Sequence, residues 1–132
     1  MPRSIRTVLA VVVGVVVWVI VATAGNLLIR GLLAGYAEVE KAMTFSSGML
    51  LARLVLGALA SVAAGAACAA VGRSVRPSVY WFGVLLLALF VPVHVGLWEK
   101  FPIWYHVVFL GSLAPLVIVG AKWAGFRGAS AA

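Results

Sequence analysis

Arg53 carries more chemistry to account for than any other residue of this chain. It lies about five residues inside an apolar stretch, roughly 7 Å deep at ~1.5 Å per helical residue. A guanidinium facing lipid costs about 2.5–3.5 kcal/mol at a bilayer centre on insertion scales, and less near an edge. It is therefore expected to face inward, toward an anion or carbonyl oxygens. Glu38, Glu40 and Glu99 are the acids of the chain, and all three fall on the same side of the layout as Arg53. Glu38 or Glu40 is the expected partner, with Glu99 as the alternative. Asn26, His94 and His106 reach the same level.

These seven residues form a candidate polar cluster with two readings. They could line a small pocket at the mouth of a helix bundle, or they could only satisfy one another at helix ends. His94 and His106 could in principle ligate a metal or haem. Zinc would need further ligands, Glu99 being nearest in sequence, and no spacing matches a ligand motif. No metal and no cofactor is expected. An enzyme needs a nucleophile or a supported acid–base pair. The apolar stretches hold no aspartate or glutamate, and neither Gly-x-Ser-x-Gly nor His-Glu-x-x-His occurs. The expectation is a protein without enzymatic activity.

The elements that must position this cluster are four apolar stretches, residues 7–29, 48–71, 79–97 and 106–122. Each approaches the ~20 residues that cross a bilayer as a helix. Hydrophobic residues make up 65% of the 132, above the roughly 45–50% of soluble domains. The reading is an all-α, four-transmembrane-helix bundle forming one integral membrane domain. Arg3, Arg6, Arg73, Arg76, Lys122 and Arg127 fall on one side with no acid among them, whereas all three glutamates fall on the other, mixed with the flanking bases Arg30, Lys41 and Lys100. Flanking Lys and Arg resist translocation, so both termini are expected in the cytoplasm and the protein in the inner (plasma) membrane. The net charge of +7 comes from bases that flank spans, which suits topology and anionic headgroups. The lipid bilayer is the expected partner, and nucleic acid is not.

Arg3 and Arg6, an apolar run and Ala22-Thr23-Ala24 imitate a signal peptide. The apolar character resumes through Leu27-Leu28-Ile29, so the segment is read as a retained first span. Between the first two spans, Leu32, Tyr36, Val39 and Met43 recur at helical spacing, predicting a short amphipathic helix in the outer interface. Ser46 or Ser47 can cap the second span. That span carries Gly57, Ser61, Gly65 and Ala69 at steps of four. Small residues so spaced let another backbone approach closely, from this chain or another copy. Cys68, the lone cysteine, is expected to pack as a small apolar residue. Pro92 removes a helical hydrogen bond in the third span.

Gly72-Arg73 after a small-residue second span, the arginine-bearing start, and Phe101-Pro102-Ile103-Trp104-Tyr105 before the last span carry a resemblance in layout. The chain resembles a broad group of small four-span bacterial inner-membrane proteins with no assigned activity. Members carry an acid near the end of the first span, where this chain has Asn26, so the resemblance implies a layout and no shared site. Proton-coupled multidrug exporters of this size rely on a glutamate in the first span, and residues 7–29 contain none.

The expected role is a small accessory or structural subunit that pairs with itself or another membrane protein. The alternative is a small-solute or ion transporter working as a homodimer. For the topology, a cysteine placed at Ser74 is expected to resist a membrane-impermeant thiol reagent in intact cells, and one at Glu99 to react. Labelling at Ser74 would reverse the orientation.

Overall fold

The computed structural model describes residues 1–73 and 77–125. Arg76 and Arg127, counted above among the inner-side bases, and the labelling position Ser74 lie outside the described residues. The described chain is helical: α1 (Arg3–Leu32), α2 (Tyr36–Ala42), α3 (Ser47–Val71), α4 (Pro77–Gly96) and α5 (Ile103–Trp123). α1, α3, α4 and α5 are long and apolar enough to cross a membrane. They begin four, one, two and three residues before their expected starts. α1, at 30 residues, would run about 45 Å, beyond a hydrocarbon core of ~30 Å, so in a bilayer it must tilt or project.

Local chemistry sets the breaks. Gly35 takes a left-handed φ of 79° between α1 and α2, which glycine adopts without steric cost. α2 closes at Met43, whose φ is 56°, with its amide and that of Thr44 donating to the carbonyls of Glu40 and Val39. The Ser46 hydroxyl accepts from the Met49 amide at 3.3 Å, capping α3 as the sequence suggested. Pro92 lies inside α4, where its missing N–H leaves the Ala88 carbonyl without a helical donor.

α3 is the central helix, flanked most extensively by α1 and α5, while α4 packs on α5 and α1. The small-residue stripe explains its place. Gly57, Ser61, Gly65 and Ala69 are all buried. A Cβ added at Gly65 would stand 2.0 Å from the Val117 carbonyl oxygen, and one at Gly120 1.9 Å from that of Val62. The backbones of α3 and α5 therefore touch, and only glycine fits on either side. Gly57 admits the Phe109 ring from α5. On the α1 side, Ser61 accepts from Trp18 Nε1 at 3.1 Å and donates to the Gly57 carbonyl at 2.8 Å. The stripe's partners thus lie in the same chain.

At the end opposite α2, Arg6 Nε donates to the Val71 carbonyl at 2.8 Å, placing a cation at the negative end of α3. Cys68 is fully buried there. α2 is shorter than the predicted outer helix and differs from it in one member. Tyr36 is fully buried and Val39 and Met43 half-buried, but Leu32 ends α1 and is 72% exposed. The break at Gly35 takes Leu32 out of helical register with the other three. Tyr36, Phe45 and Phe101 stack in series at centroid distances of 5.5 and 5.7 Å, fastening α2 over the bundle.

Gly65→Ala and Gly120→Ala are each expected to lower stability in detergent melts by about 1–3 kcal/mol, the usual cost of overpacking. Gly111→Ala, with nothing within 4 Å of the new methyl, is the matched control and should be neutral. Val16→Leu, at a residue 49% exposed on α1, is a second control and should also be neutral. Equal melts for Gly65→Ala and Gly111→Ala would remove the close α3–α5 approach.

Candidate functional site

All five helices deliver polar groups to the α2 end, and the structure sorts them into two centres. The first is a ring of four residues. Arg53 Nη1 donates to the Tyr36 hydroxyl at 3.0 Å, and Tyr36 donates to Asn26 Oδ1 at 3.3 Å. Asn26 Nδ2 donates to Glu40 Oε2 at 2.9 Å, and that oxygen lies 3.9 Å from Arg53 Nη1. Arg30 joins from outside, its Nε donating to Glu40 Oε1 at 2.8 Å and its Nη2 reaching the same oxygen. The Arg53 guanidinium lies over the Phe45 ring, 4.6 Å from its centroid, a cation–π arrangement. Its buried Nε has no hydrogen-bond partner among the described residues.

The positions follow from helical spacing. Asn26 and Arg30 are four residues apart on α1, so both face α2. Glu40 lies one turn beyond Tyr36 on α2, which points both side chains at the same gap. Burial alone would raise the Glu40 pKa. Hydrogen bonds from Asn26 and Arg30, with the charges of Arg30 and Arg53, outweigh it and hold the carboxyl below its usual 4.5.

The second centre is a histidine pair. His94 and His106 Nδ1 atoms are 2.7 Å apart, and His106 Nε2 lies 3.3 Å from the Trp98 carbonyl. A carbonyl only accepts, so His106 Nε2 carries a proton. One hydrogen bond then joins the two Nδ1 atoms, its donor set by the tautomer of each ring. Both residues are buried, and Trp98 stacks on His106 at 4.6 Å and 15°. A tetrahedral zinc bound by both nitrogens would hold them roughly 3.3 Å apart. The observed separation is that of a hydrogen bond.

Of the expected cluster, Asn26, Glu40 and Arg53 come together, and His94 and His106 pair separately. Glu38 and Glu99 are exposed and join neither centre. Glu38 falls on the outward face of α2, and Glu99 lies in the α4–α5 turn, beyond the helix that would aim it inward. Arg53 meets the phenols of Tyr36 and Tyr105 first, with the Glu40 carboxylate at 3.9 Å. Tyr36 and Arg30 are the residues that sequence reasoning placed elsewhere, one in an apolar stripe and one as a flanking charge. The available signal was that a buried tyrosine needs a partner for its hydroxyl.

Beneath the ring lies an open cleft of about 440 Å³. Asn26, Arg30, Glu40 and Arg53 edge one end; Trp18, Phe90 and Phe109 line the other. Those rings touch in series, with centroids 4.7 and 5.2 Å apart. Among family models, curated proteins and solved structures, none matches this chain.

Because Glu40 keeps Arg30 and Asn26 when Arg53 is lost, Arg53→Ala should cost only about 1–3 kcal/mol. Tyr36→Phe should cost a similar amount, since it strands Asn26 Oδ1 and Arg53 together. A loss confined to Arg53→Ala would refute the ring. The pH dependence has a definite sign. A carboxyl whose folded pKa is depressed stabilises the fold above its unfolded value of 4.5, and that contribution fades as pH falls through the folded pKa. Melting temperature should therefore drop more steeply below about pH 4.5 in the native chain than in Glu40→Gln.

Proposed function

We propose that the protein is a non-enzymatic inner-membrane protein with both termini in the cytoplasm, serving as a small accessory subunit. Its working part is the α2 end, which the sorting of acids and bases orients outward. One observation carries the choice of accessory over conduit. Below the Trp18–Phe90–Phe109 layer the interior is filled by Ala60, Ala64, Phe82, Leu86, Leu113 and Val117, all at 2% exposure or less. The backbones of α3 and α5 meet at Gly65 and Gly120 within this zone. A solute crossing a single copy would have to separate helices that close-packed atoms hold together.

The stripe that could have joined this chain to another is occupied by α1 and α5. A partner subunit would therefore be met elsewhere, and α1 is the least covered of the long helices, with 11% of its apolar window buried against 39% for α3. The alternative, a transporter formed by two copies, is separated by a direct measurement. Liposomes containing the purified protein are expected to pass protons, alkali cations and halides no faster than protein-free liposomes. Flux that requires the protein and disappears in Arg53→Ala would install the transporter in place of the accessory subunit.

A further inference from the structure

The cleft beneath the Arg53 ring is chemically divided along its length. Its α1 wall runs from Trp18 to Arg30 by way of Ala22 and Asn26, steps of four that keep one helix face toward it over about 18 Å. The far end is aromatic, and the near end holds two guanidiniums and one carboxylate. A volume of about 440 Å³ falls in the range of ~300–1,000 Å³ typical of small-molecule sites. Thr23 and Leu27, both exposed, stand at its edge, so it opens laterally.

The charge at the near end is not balanced. Glu40 spends one oxygen on Arg30 and the other on Asn26. Arg53 is left 3.9 Å from the carboxylate, hydrogen-bonded to the Tyr36 phenol, and its side chain keeps 28% of its surface exposed. The rim therefore carries one excess positive charge beside an apolar trough. A purely apolar ligand would leave that guanidinium uncompensated. A cation would meet like charge, and a small anion would leave the aromatic walls facing water. From this segregation we propose that the cleft binds an anionic amphiphile, its acidic headgroup on Arg53 and its chain against Trp18, Phe90 and Phe109. In a bilayer the charged rim sits at the level of lipid headgroups and the trough at the level of acyl chains, so an anionic phospholipid enters sideways past Leu27 without leaving the membrane. The cleft takes the phosphate and part of one chain, and the rest of the lipid stays in the bilayer.

The test is native mass spectrometry of the detergent-purified full chain, titrated with phosphatidylglycerol, with phosphatidylcholine, and with inorganic phosphate as competitor. Phosphatidylglycerol is expected to bind once per chain, and phosphatidylcholine, whose choline cation meets the excess positive charge of the rim, about 10- to 100-fold more weakly, the cost of one like-charge contact at the surface. Arg53→Gln should erase that difference. Ala22→Phe, which fills the trough without touching the ring, should weaken phosphatidylglycerol while leaving the melting temperature of the empty protein unchanged. Glu38→Gln, outside the cleft, should bind as the native chain does. Equal binding of both lipids, or phosphatidylglycerol binding that survives Ala22→Phe, overturns the proposal. Displacement of the lipid by millimolar phosphate alone also overturns it, because the site would then be one for a free anion.

Discussion

Everything in this bundle depends on two helices meeting backbone to backbone. Apolar side chains gain little by leaving lipid for one another, so helices in a bilayer associate through close van der Waals contact and hydrogen bonds. Gly65 on α3 and Gly120 on α5 make that contact available from both sides at one crossing. Once α5 is drawn in, Phe109 comes against Gly57, and His106, one turn before Phe109 on α5, is carried to His94. On the opposite face of α3, Ser61 takes the Trp18 indole and brings α1 to the same level. The polar centres at the α2 end are thus placed by contacts made among glycine, alanine and serine much deeper in the structure.

Arg53 imposes the second constraint. A guanidinium a few residues inside an apolar helix cannot be left bare, and the fold answers with a phenol, an aromatic face and a carboxylate held one step away. Placing Tyr36 between Arg53 and Asn26 couples α1, α2 and α3 in one hydrogen-bonded circuit. A direct Arg53–Glu40 pair would have coupled only α2 and α3. The circuit also explains why a seven-residue helix, far too short to be stable alone, is held over the bundle. Its one fully buried side chain is a member of the ring, and its Glu40 receives two donors from α1.

The spans were legible because their length and hydropathy leave few alternatives, and the burial of Gly57, Ser61, Gly65 and Ala69 followed from their spacing. What covers that stripe was not legible, since the same pattern serves an internal neighbour or a second copy. The choice is made by Gly120, a single small residue whose counterpart on α3 cannot be identified by periodicity. At the polar end, the sequence placed seven residues at one level but could not assign their azimuth. Glu38 and Glu40 are two residues apart, and on a helix that is enough to send one outward and one into the ring. Arg30 was counted only as a flanking charge because nothing in its neighbourhood distinguishes a snorkelling arginine from a paired one. The histidine pair was hidden for a different reason. Twelve residues and a turn containing Pro102 separate the two rings, and only the angle between α4 and α5 decides whether they face each other.

The two ends of the molecule are built by different means, and that difference bears on what each can do. The end opposite α2 is close-packed around Cys68, Phe82 and Val117, each fully buried, and there, among the described residues, Arg6 reaches across to a helix carbonyl. Such packing is satisfied as it stands and gains nothing from a ligand. At the α2 end, aromatic rings and long charged side chains leave a cleft between them, with the partly exposed Arg53 guanidinium at its rim. Filling that space with apolar side chains would have stabilised the bundle at less electrostatic cost, since a buried charged group is weak support for a fold compared with well-packed hydrophobic residues of similar volume. A structure that instead keeps Arg53 beside an open trough retains a site where an incoming anion gains from contacts that the protein leaves unmade.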